Sequence, residues 1–100
     1  MERWIKMVSA IKINDRTINI TQFQEEYNKQ SKYTIRFSFH VKGGLEYHDI
    51  TALLYNDSFH IVIPDRKRDF TAVIQEYYTS IGDFADEDTT ATFTLTLLEI

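Results

Sequence analysis

The sequence predicts an all-β protein, a mostly antiparallel barrel or sandwich of about six strands with one short helix. Composition is the first reason: the 100 residues include 12 Ile, 4 Val, 11 Thr and 14 aromatic residues, all of which favour a pleated sheet. Ala and Leu, the best apolar helix formers, together number only 11. Periodicity is the second reason, because apolar and polar residues alternate with period two in several separate segments.

The length and the missing cysteines limit what the chain can be. A chain of 100 residues is the size of one domain, and we expect residues 1–100 to form a single β domain. The absence of Cys excludes disulfides, thiolate catalysis and cysteine-based metal sites. Lys6 interrupts the apolar N-terminal stretch, and no apolar run reaches the roughly 20 residues of a membrane span. We therefore expect a cytoplasmic protein with no membrane association.

The first third of the chain contains two predicted strands. Val8 to Ile13 is predicted as a strand, in which Val8 and Ala10 alternate before Ile11 and Ile13 set a new phase. Asn14-Asp15 after it is a pair typical of hairpin turns. A second strand is predicted over Thr17 to Glu26. Its C-terminal part has an alternative, because residues 21–29 also fit a polar helix that begins with a capping box.

The segment from Tyr33 to Lys42 has the clearest strand pattern. Its odd-numbered residues are apolar and its even-numbered residues are polar, so we expect one buried face and one face in water. Gly43-Gly44 ends this strand. Apolar residues at positions 50, 53 and 54 then predict a short helix over about residues 50–55, with Asp49 as its N-cap.

The second half of the chain contains three further predicted strands. Phe59 to Ile63 alternates and ends at Pro64, and a charged turn over residues 65–69 leads to a strand from Phe70 to about Ser80. An acidic loop over residues 82–88 precedes the last strand, in which Thr residues alternate with inward-facing apolar residues. The predicted core consists of Phe37, Phe39, Phe59, Ile61, Phe70, Phe93 and Leu95.

Several of these segments together resemble a known family. The residues YHDITALLY (47–55), FHIVIP (59–64), Phe70 and YYTS (77–80) are similar to those of the YkvR-like family of small proteins from bacilli and related bacteria. The resemblance extends from about Val8 to Ile100 and is most specific between Tyr47 and Pro64. It implies a small, β-rich, barrel-like bacterial domain. It implies no reaction and transfers no catalytic residue.

No group of residues in the sequence predicts a metal site, a cofactor or a nucleic-acid partner. The His residues, His40, His48 and His60, lack the spacing of metal ligands, and alternation places His40 and His60 on strand faces in water. The only basic cluster, Arg66-Lys67-Arg68, is bracketed by two Asp residues in a protein of net charge −4. Binding to a phosphate backbone needs many uncompensated cations. We therefore expect no metal, no cofactor and no nucleic-acid partner.

Tyrosines near the predicted helix indicate a binding surface. The adjacent Tyr77 and Tyr78 lie on opposite faces of any unbulged strand, and exposed tyrosines often mark contacts with partners. Because binding groups collect on irregular connections, we predict one partly exposed surface or pocket formed by Tyr47, His48, Asp49, Tyr55 and Tyr77. The alternative is structural: Asp49 caps the helix, while the tyrosine hydroxyls and His48 hydrogen-bond the nearby backbone.

These expectations favour a non-enzymatic interaction or assembly module. Free strand edges or an exposed aromatic face would contact a protein partner, or a second copy in a homodimer. The alternative is a small-ligand binder that uses the mouth of the barrel. A cavity with converging polar groups would favour the ligand binder, and a flat aromatic patch would favour the interaction module. The sequence predicts no catalytic pair, because adjacent residues such as His48 and Asp49 do not face each other.

Overall fold

The computed structural model describes residues 8–80 and 90–100, which form one antiparallel sheet of seven strands and one α-helix. A 3-10 helix, Pro64–Arg66, connects the fifth strand to the sixth. The predicted all-β class with one short helix is confirmed. The elements in chain order are β1 (Ala10–Ile13), β2 (Arg16–Asn19), β3 (Gln22–Tyr27), β4 (Tyr33–Lys42), α1 (Leu45–Leu53), β5 (Phe59–Ile63), β6 (Arg68–Thr79) and β7 (Thr90–Glu99).

The sheet is rolled, although no hydrogen bonds between its described strands close it. Its strand order is β2-β1-β5-β6-β7-β4-β3, so β2 and β3 are its two edges. Only Ile20 and Thr21 separate these strands, and a link of this length spans at most about 11 Å, which brings the two edges together. The Ile20 N–H donates to the Ser9 carbonyl at 3.0 Å, whereas the Thr21 N–H donates to the Ser38 carbonyl at 2.8 Å. The chain therefore changes its pairing partner between these two residues.

This change of partner explains two differences from the prediction. The segment predicted as one strand is divided into β2, which pairs with β1, and β3, which pairs with β4. The sheet therefore has seven strands rather than about six. The alternative helix over residues 21–29 is wrong, because the ladder from Gln22 opposite Ser38 to Tyr27 opposite Tyr33 outweighs a weak local helix signal.

The hairpin between β1 and β2 follows from its two turn residues. Asn14 and Asp15 have φ angles of 49° and 73°, a left-handed region that Asn and Asp tolerate better than other residues with a Cβ. Two successive positive φ angles are typical of a type I′ turn, whose twist matches that of the flanking strands. The predicted turn is confirmed, with Ile13 opposite Arg16 in the register.

The helix begins earlier than predicted, and Asp49 is not its N-cap. α1 starts at Leu45, directly after Gly44, whose φ of 75° and ψ of −134° are readily adopted only by glycine. Asp49 therefore lies inside the helix and is exposed. Ile50 and Leu54 are buried, as the apolar spacing predicts. Gly44 thus does more than end a strand, because it provides the backbone geometry that starts the helix.

The core lies inside the rolled sheet and includes Ile50 and Leu54 from α1. All odd-numbered residues of β4 are buried. From Ile35 to Val41 they lie opposite buried residues of β7; Phe39, for example, lies opposite Phe93. Burial of one large apolar side chain contributes about 1.5–3 kcal/mol. Every predicted core residue is buried, which confirms the inner faces assigned to β4, β5 and β7. The face of β4 predicted to lie in water is only partly exposed, because Thr34 and Ser38 are also buried, and the Ser38 hydroxyl is hydrogen-bonded to that of Thr94 on β7 at 2.9 Å.

A β-bulge in β6 determines which tyrosine faces the core. The register shift falls at Gln75, so even-numbered residues face inward before it and odd-numbered residues face inward after it. Tyr77 therefore faces the core side, whereas Tyr78 faces outward and accepts a hydrogen bond from Arg36 Nη2 at 2.6 Å. The prediction that the two tyrosines occupy opposite faces is confirmed.

In the second half of the chain, the bounds of β5 and β6 can be compared with the predicted ones. The strand Phe59–Ile63 has the predicted bounds, and the following strand runs from Arg68 to Thr79. The acidic loop predicted over residues 82–88 lies outside the described residues. Within the described residues, no helix has the length and apolar character that a membrane crossing requires.

Candidate functional site

The structure brings together only part of the predicted binding surface. Tyr47, His48 and Asp49 lie on α1, Tyr55 follows the helix, and Tyr77 lies on β6. Tyr55 is 91% exposed and stands apart from the others. Asp49 is also exposed, and it points away from His48 because successive helix residues do not share a face.

Tyr47 and Tyr77 meet over Phe93 at the α1 end of the sheet. The Tyr77 ring stacks on Phe93 with centroids 5.9 Å apart, and the Tyr47 ring meets Phe93 edge-on at the same distance. The His48 ring centre lies 6.2 Å from that of Tyr47. Burial, followed by the neighbouring Tyr47, raises the pKa of Tyr77. We call Tyr47, His48 and Tyr77 the helix-end cluster.

The exposed tyrosines do not form one flat patch in the described part of the chain. Tyr27 lies on the edge strand β3, Tyr55 follows α1, Tyr77 is in the helix-end cluster, and Tyr78 lies on the outer face of β6. The described tyrosines therefore do not form the flat aromatic patch that would favour an interaction module.

A cleft of about 610 Å³ runs along β3, away from the helix-end cluster. Its walls are residues 23–26 of β3, Thr34 and Arg36 of β4, Thr96 of β7, and Arg66 of the 3-10 helix. A second hollow of about 330 Å³, which we call the arginine pocket, shares part of this lining. The arginine pocket is lined by Glu25, Glu26, Tyr27, Tyr33, Arg66 and Arg68.

Arg66 is held in place where the cleft and the arginine pocket meet. Its Nη2 lies 3.0 Å from Glu25 Oε2, and its guanidinium carbon lies 5.6 Å from the centre of the Phe23 ring. Its side chain is 20% exposed, and its buried Nε has no hydrogen-bond partner among residues 8–80 and 90–100. A buried donor without an acceptor costs about 1–3 kcal/mol.

Tyr33 joins the arginine pocket to the core. Its hydroxyl donates a hydrogen bond to the Glu25 carboxylate, and the guanidinium carbon of Arg68 lies 3.7 Å from its ring centre. Burial, followed by the hydrogen bond to Glu25, raises the pKa of Tyr33 well above its ordinary value. Arg68 Nη1 also lies 3.4 Å from the Tyr27 hydroxyl. The pocket therefore contains aromatic rings and charges at fixed positions.

The backbone of the connection between β5 and β6 places both arginines beside β3. Asp65 Oδ2 accepts hydrogen bonds from the Ser9 N–H at 2.9 Å and the Ser9 hydroxyl at 3.3 Å, which fixes the 3-10 helix to the start of β1. Lys67 has a φ of 54°, so the chain turns sharply between Arg66 and Arg68. Both arginine side chains consequently line one pocket.

Sequence reasoning missed this site because it treated residues 65–69 as one compensated charge cluster. Asp65 binds Ser9, and Asp69 contacts His60 on the outer face of the sheet. The arginines instead contact residues of β3 and β4. No local pattern in the sequence marked the site, because Arg66 and Arg68 reach β3 only through the tertiary fold.

The histidines do not assemble into a site. His40 lies on β4 and His60 on β5, and β6 and β7 separate these strands. Among residues 8–80 and 90–100, no group of three or more His, Asp or Glu residues is placed to hold a metal ion.

Known proteins similar to this chain agree with the resemblance predicted from its sequence. A model of the family "Protein of unknown function (DUF3219)" matches residues 10–100. "Uncharacterized protein YkvR" from Bacillus subtilis (strain 168) is 28% identical over 93 residues, which cover 93% of this chain and 94% of that protein. The NMR solution structure of the YkvR protein from Bacillus subtilis matches with a TM-score of 0.55 and 27% identity, covering 94% of this chain and 87% of that chain. The predicted resemblance is confirmed.

Proposed function

We propose that this chain, which belongs to the DUF3219 family of proteins of unknown function, is a non-enzymatic binding module that holds a small molecule in the cleft along β3. The cleft itself carries the proposal. Its volume of about 610 Å³ lies within the range of about 300–1,000 Å³ typical of small-molecule sites. Arg66 provides a fixed polar anchor in it, and Phe23 provides an apolar wall.

The non-enzymatic part of the proposal is supported by the position of the clearest acid–base pair. His60 and Asp69 contact each other, but their side chains are 51% and 66% exposed. Neither lines the cleft or the arginine pocket. A general acid or base must lie within hydrogen-bond reach of its substrate, and this pair is outside both hollows.

Retention of small molecules tests the proposal. The purified protein is incubated with a small-molecule extract of bacterial cells, separated by gel filtration, and its retained compounds are identified by mass spectrometry. We expect the wild type to retain a compound that Arg66→Gln loses. Arg16→Gln is the matched control, because Arg16 is exposed on β2 and lines neither hollow. Equal retention by all three proteins, or retention by none, contradicts the proposal.

A second candidate is the interaction or assembly module, including a homodimer formed by strand pairing. The observation that favours it is the edge of β3, whose Gln22–Tyr27 backbone pairs with β4 and with no other strand that the structure describes. An extended segment from a partner or a second copy could add to this edge. Such a segment would occupy the same cleft as a small molecule.

Light scattering at two protein concentrations tests the homodimer. A mass that rises with concentration, and that Tyr27→Pro abolishes, supports pairing at β3, because Tyr27 and Tyr33 form a non-hydrogen-bonded pair and the Tyr27 N–H therefore faces the free edge. Tyr27→Ala is the control, since it removes the same side chain and keeps the N–H. A mass that is independent of concentration removes the homodimer and leaves a different protein partner or a small molecule.

A further inference from the structure

The arginine pocket holds one positive charge that no acidic side chain neutralises. Arg66 Nη2 contacts Glu25 Oε2 at 3.0 Å, and the other oxygen of this carboxylate accepts the hydrogen bond from the Tyr33 hydroxyl. Both oxygens of Glu25 are therefore engaged. Arg68 lines the same pocket and forms no ion pair with any residue that the structure describes. The uncompensated charge is thus that of Arg68.

The alternation of β3 keeps Glu26 from supplying the missing negative charge. The side chain of Glu26 points to the outer face of the sheet, away from the core. Glu25 and Tyr27 instead share the inner face with Tyr33, beside both arginines. The side chains that face Arg68 in the pocket are consequently two tyrosines and a carboxylate that already has its partners.

Arg68 presents free N–H groups at the surface of the pocket. Its guanidinium carbon lies 3.7 Å from the centre of the Tyr33 ring, a separation that only face-to-face stacking allows. The ring covers one face of the guanidinium, and the N–H bonds point outward in its plane. Nη1 contacts the Tyr27 hydroxyl at 3.4 Å, whereas Nε and Nη2 have no hydrogen-bond partner among the described residues. Unlike Arg66 Nε, neither of these two atoms is buried, so both can contact a bound molecule.

The free donors and the single charge match a carboxylate. Nε–H and one Nη2–H lie on the same side of a guanidinium and donate in parallel, which fits the two oxygens of a carboxylate. A cation would be repelled by the two arginines. A dianion would bring a second negative charge close to Glu25, with no free cation in the described part of the pocket to neutralise it.

We infer that the arginine pocket binds the carboxylate group of a small monoanion, with Nε and Nη2 of Arg68 as its donors. The Tyr27 ring is 60% exposed, its centre lies 5.5 Å from that of Tyr33, and it provides an apolar surface beside the carboxylate. The pocket and the cleft along β3 share Glu25 and Arg66 in their linings, so the rest of the molecule extends toward the cleft. This inference names the ligand class and rests on the proposed function.

Three probes with the same phenyl ring test the charge that the pocket accepts. Benzoate carries a carboxylate, benzamide replaces it by a neutral amide, and phenyl phosphate is mostly a dianion at neutral pH. Binding is followed by ¹H–¹⁵N NMR through the Arg68 Nε–H and the Tyr27 backbone amide. We expect benzoate to shift both signals saturably with a dissociation constant of about 1 mM or lower. Benzamide should bind at least about tenfold more weakly, and phenyl phosphate no more tightly than benzoate.

Substitutions of Arg68 assign the carboxylate to this side chain. Arg68→Gln should weaken benzoate at least about tenfold and leave benzamide unchanged. Arg68→Lys keeps the charge but loses the parallel donors, so its affinity for benzoate should lie between those of the wild type and Arg68→Gln. Arg16→Gln is the matched control, because Arg16 is exposed on β2 and lines neither hollow. Thermal melts show whether each variant is folded, and the comparison of benzoate with benzamide needs only the wild type.

The outcomes separate this inference from the proposed function. If benzamide binds as tightly as benzoate, or phenyl phosphate binds more tightly, the ligand class is wrong; the inference is then overturned and the binding module remains. An unchanged benzoate affinity in a folded Arg68→Gln or Arg68→Lys variant overturns the assignment to the Arg68 donors. If no probe shifts either signal, the inference is also overturned. The retention experiment with Arg66→Gln then decides whether the cleft binds another class of small molecule.

Discussion

The guanidinium carbon of Arg68 lies 3.7 Å from the centre of the Tyr33 ring, while the hydroxyl of the same ring donates to the Glu25 carboxylate. Tyr33 is only 2% exposed, and its ring also meets Phe70 edge-on at 5.3 Å. One residue thus belongs to the core and to the wall of the arginine pocket. A substitution in the core that moves this ring would therefore also move Arg68.

The raised pKa of Tyr33 predicts a stability that falls at alkaline pH. Below about pH 10, the ordinary pKa of tyrosine, both the folded and the unfolded state keep the proton. Above that pH the unfolded chain releases the proton first, so the free energy of unfolding decreases as the pH rises toward the higher folded-state pKa. We expect this decrease between about pH 8 and about pH 11 to be smaller in Tyr33→Phe than in the wild type.

Urea unfolding at both pH values measures this difference. Tyr55→Phe is the matched control, because Tyr55 is 91% exposed and should leave the wild-type decrease unchanged. An equal decrease in Tyr33→Phe and in the wild type would mean that burial and Glu25 do not hold the proton on Tyr33.

The core register predicts a large effect of Phe37→Ala. Phe37 is 1% exposed, lies opposite Leu95 in the ladder and stacks on Phe39 with centroids 5.9 Å apart. Its truncation should lower the free energy of unfolding by about 3–5 kcal/mol, measured by urea denaturation. Lys42→Ala on the exposed face of the same strand should change it by less than about 0.5 kcal/mol. A loss below about 1 kcal/mol in Phe37→Ala would place Phe37 on the wrong face of the sheet.

The position at which α1 starts predicts a large loss of stability for a substitution of Gly44 and a small one for a substitution of Asp49. Gly44→Ala should destabilise the protein by about 1–3 kcal/mol, because its φ of 75° and ψ of −134° strain any residue with a Cβ. Asp49→Ala should have an effect below about 0.5 kcal/mol, because Asp49 is exposed inside the helix and is not its N-cap. Chemical denaturation of both variants checks this. A loss of about 1 kcal/mol in Asp49→Ala, with Gly44→Ala neutral, would restore the helix start predicted from the sequence.

Period-two alternation was sufficient to predict the inner faces of β4, β5 and β7, because burial on one face imposes a chemical pattern on every second residue. Backbone irregularities that impose no such pattern on the side chains could not be predicted from the sequence. The bulge at Gln75 and the left-handed Lys67 arise from tertiary pairing and carry no residue signature. The same limit applied to the candidate site. Arg66 and Arg68 are adjacent to β3 only because the sheet rolls, and no local pattern encodes that proximity.

The helix-end cluster predicts a difference between two substitutions of Tyr77. Tyr77 stacks on Phe93 and is 42% exposed, so the ring contributes packing while part of it remains accessible. Tyr77→Ala should lower the free energy of unfolding by about 1–3 kcal/mol, because it removes the ring. Tyr77→Phe keeps the ring and should change the free energy by less than about 0.5 kcal/mol. Equal losses would show that the Tyr77 hydroxyl is a structural group, which would remove Tyr77 from the predicted binding surface. A neutral Tyr77→Phe would leave the hydroxyl available for recognition. Tyr55→Ala is the control in the same urea series and should be neutral, because Tyr55 is 91% exposed.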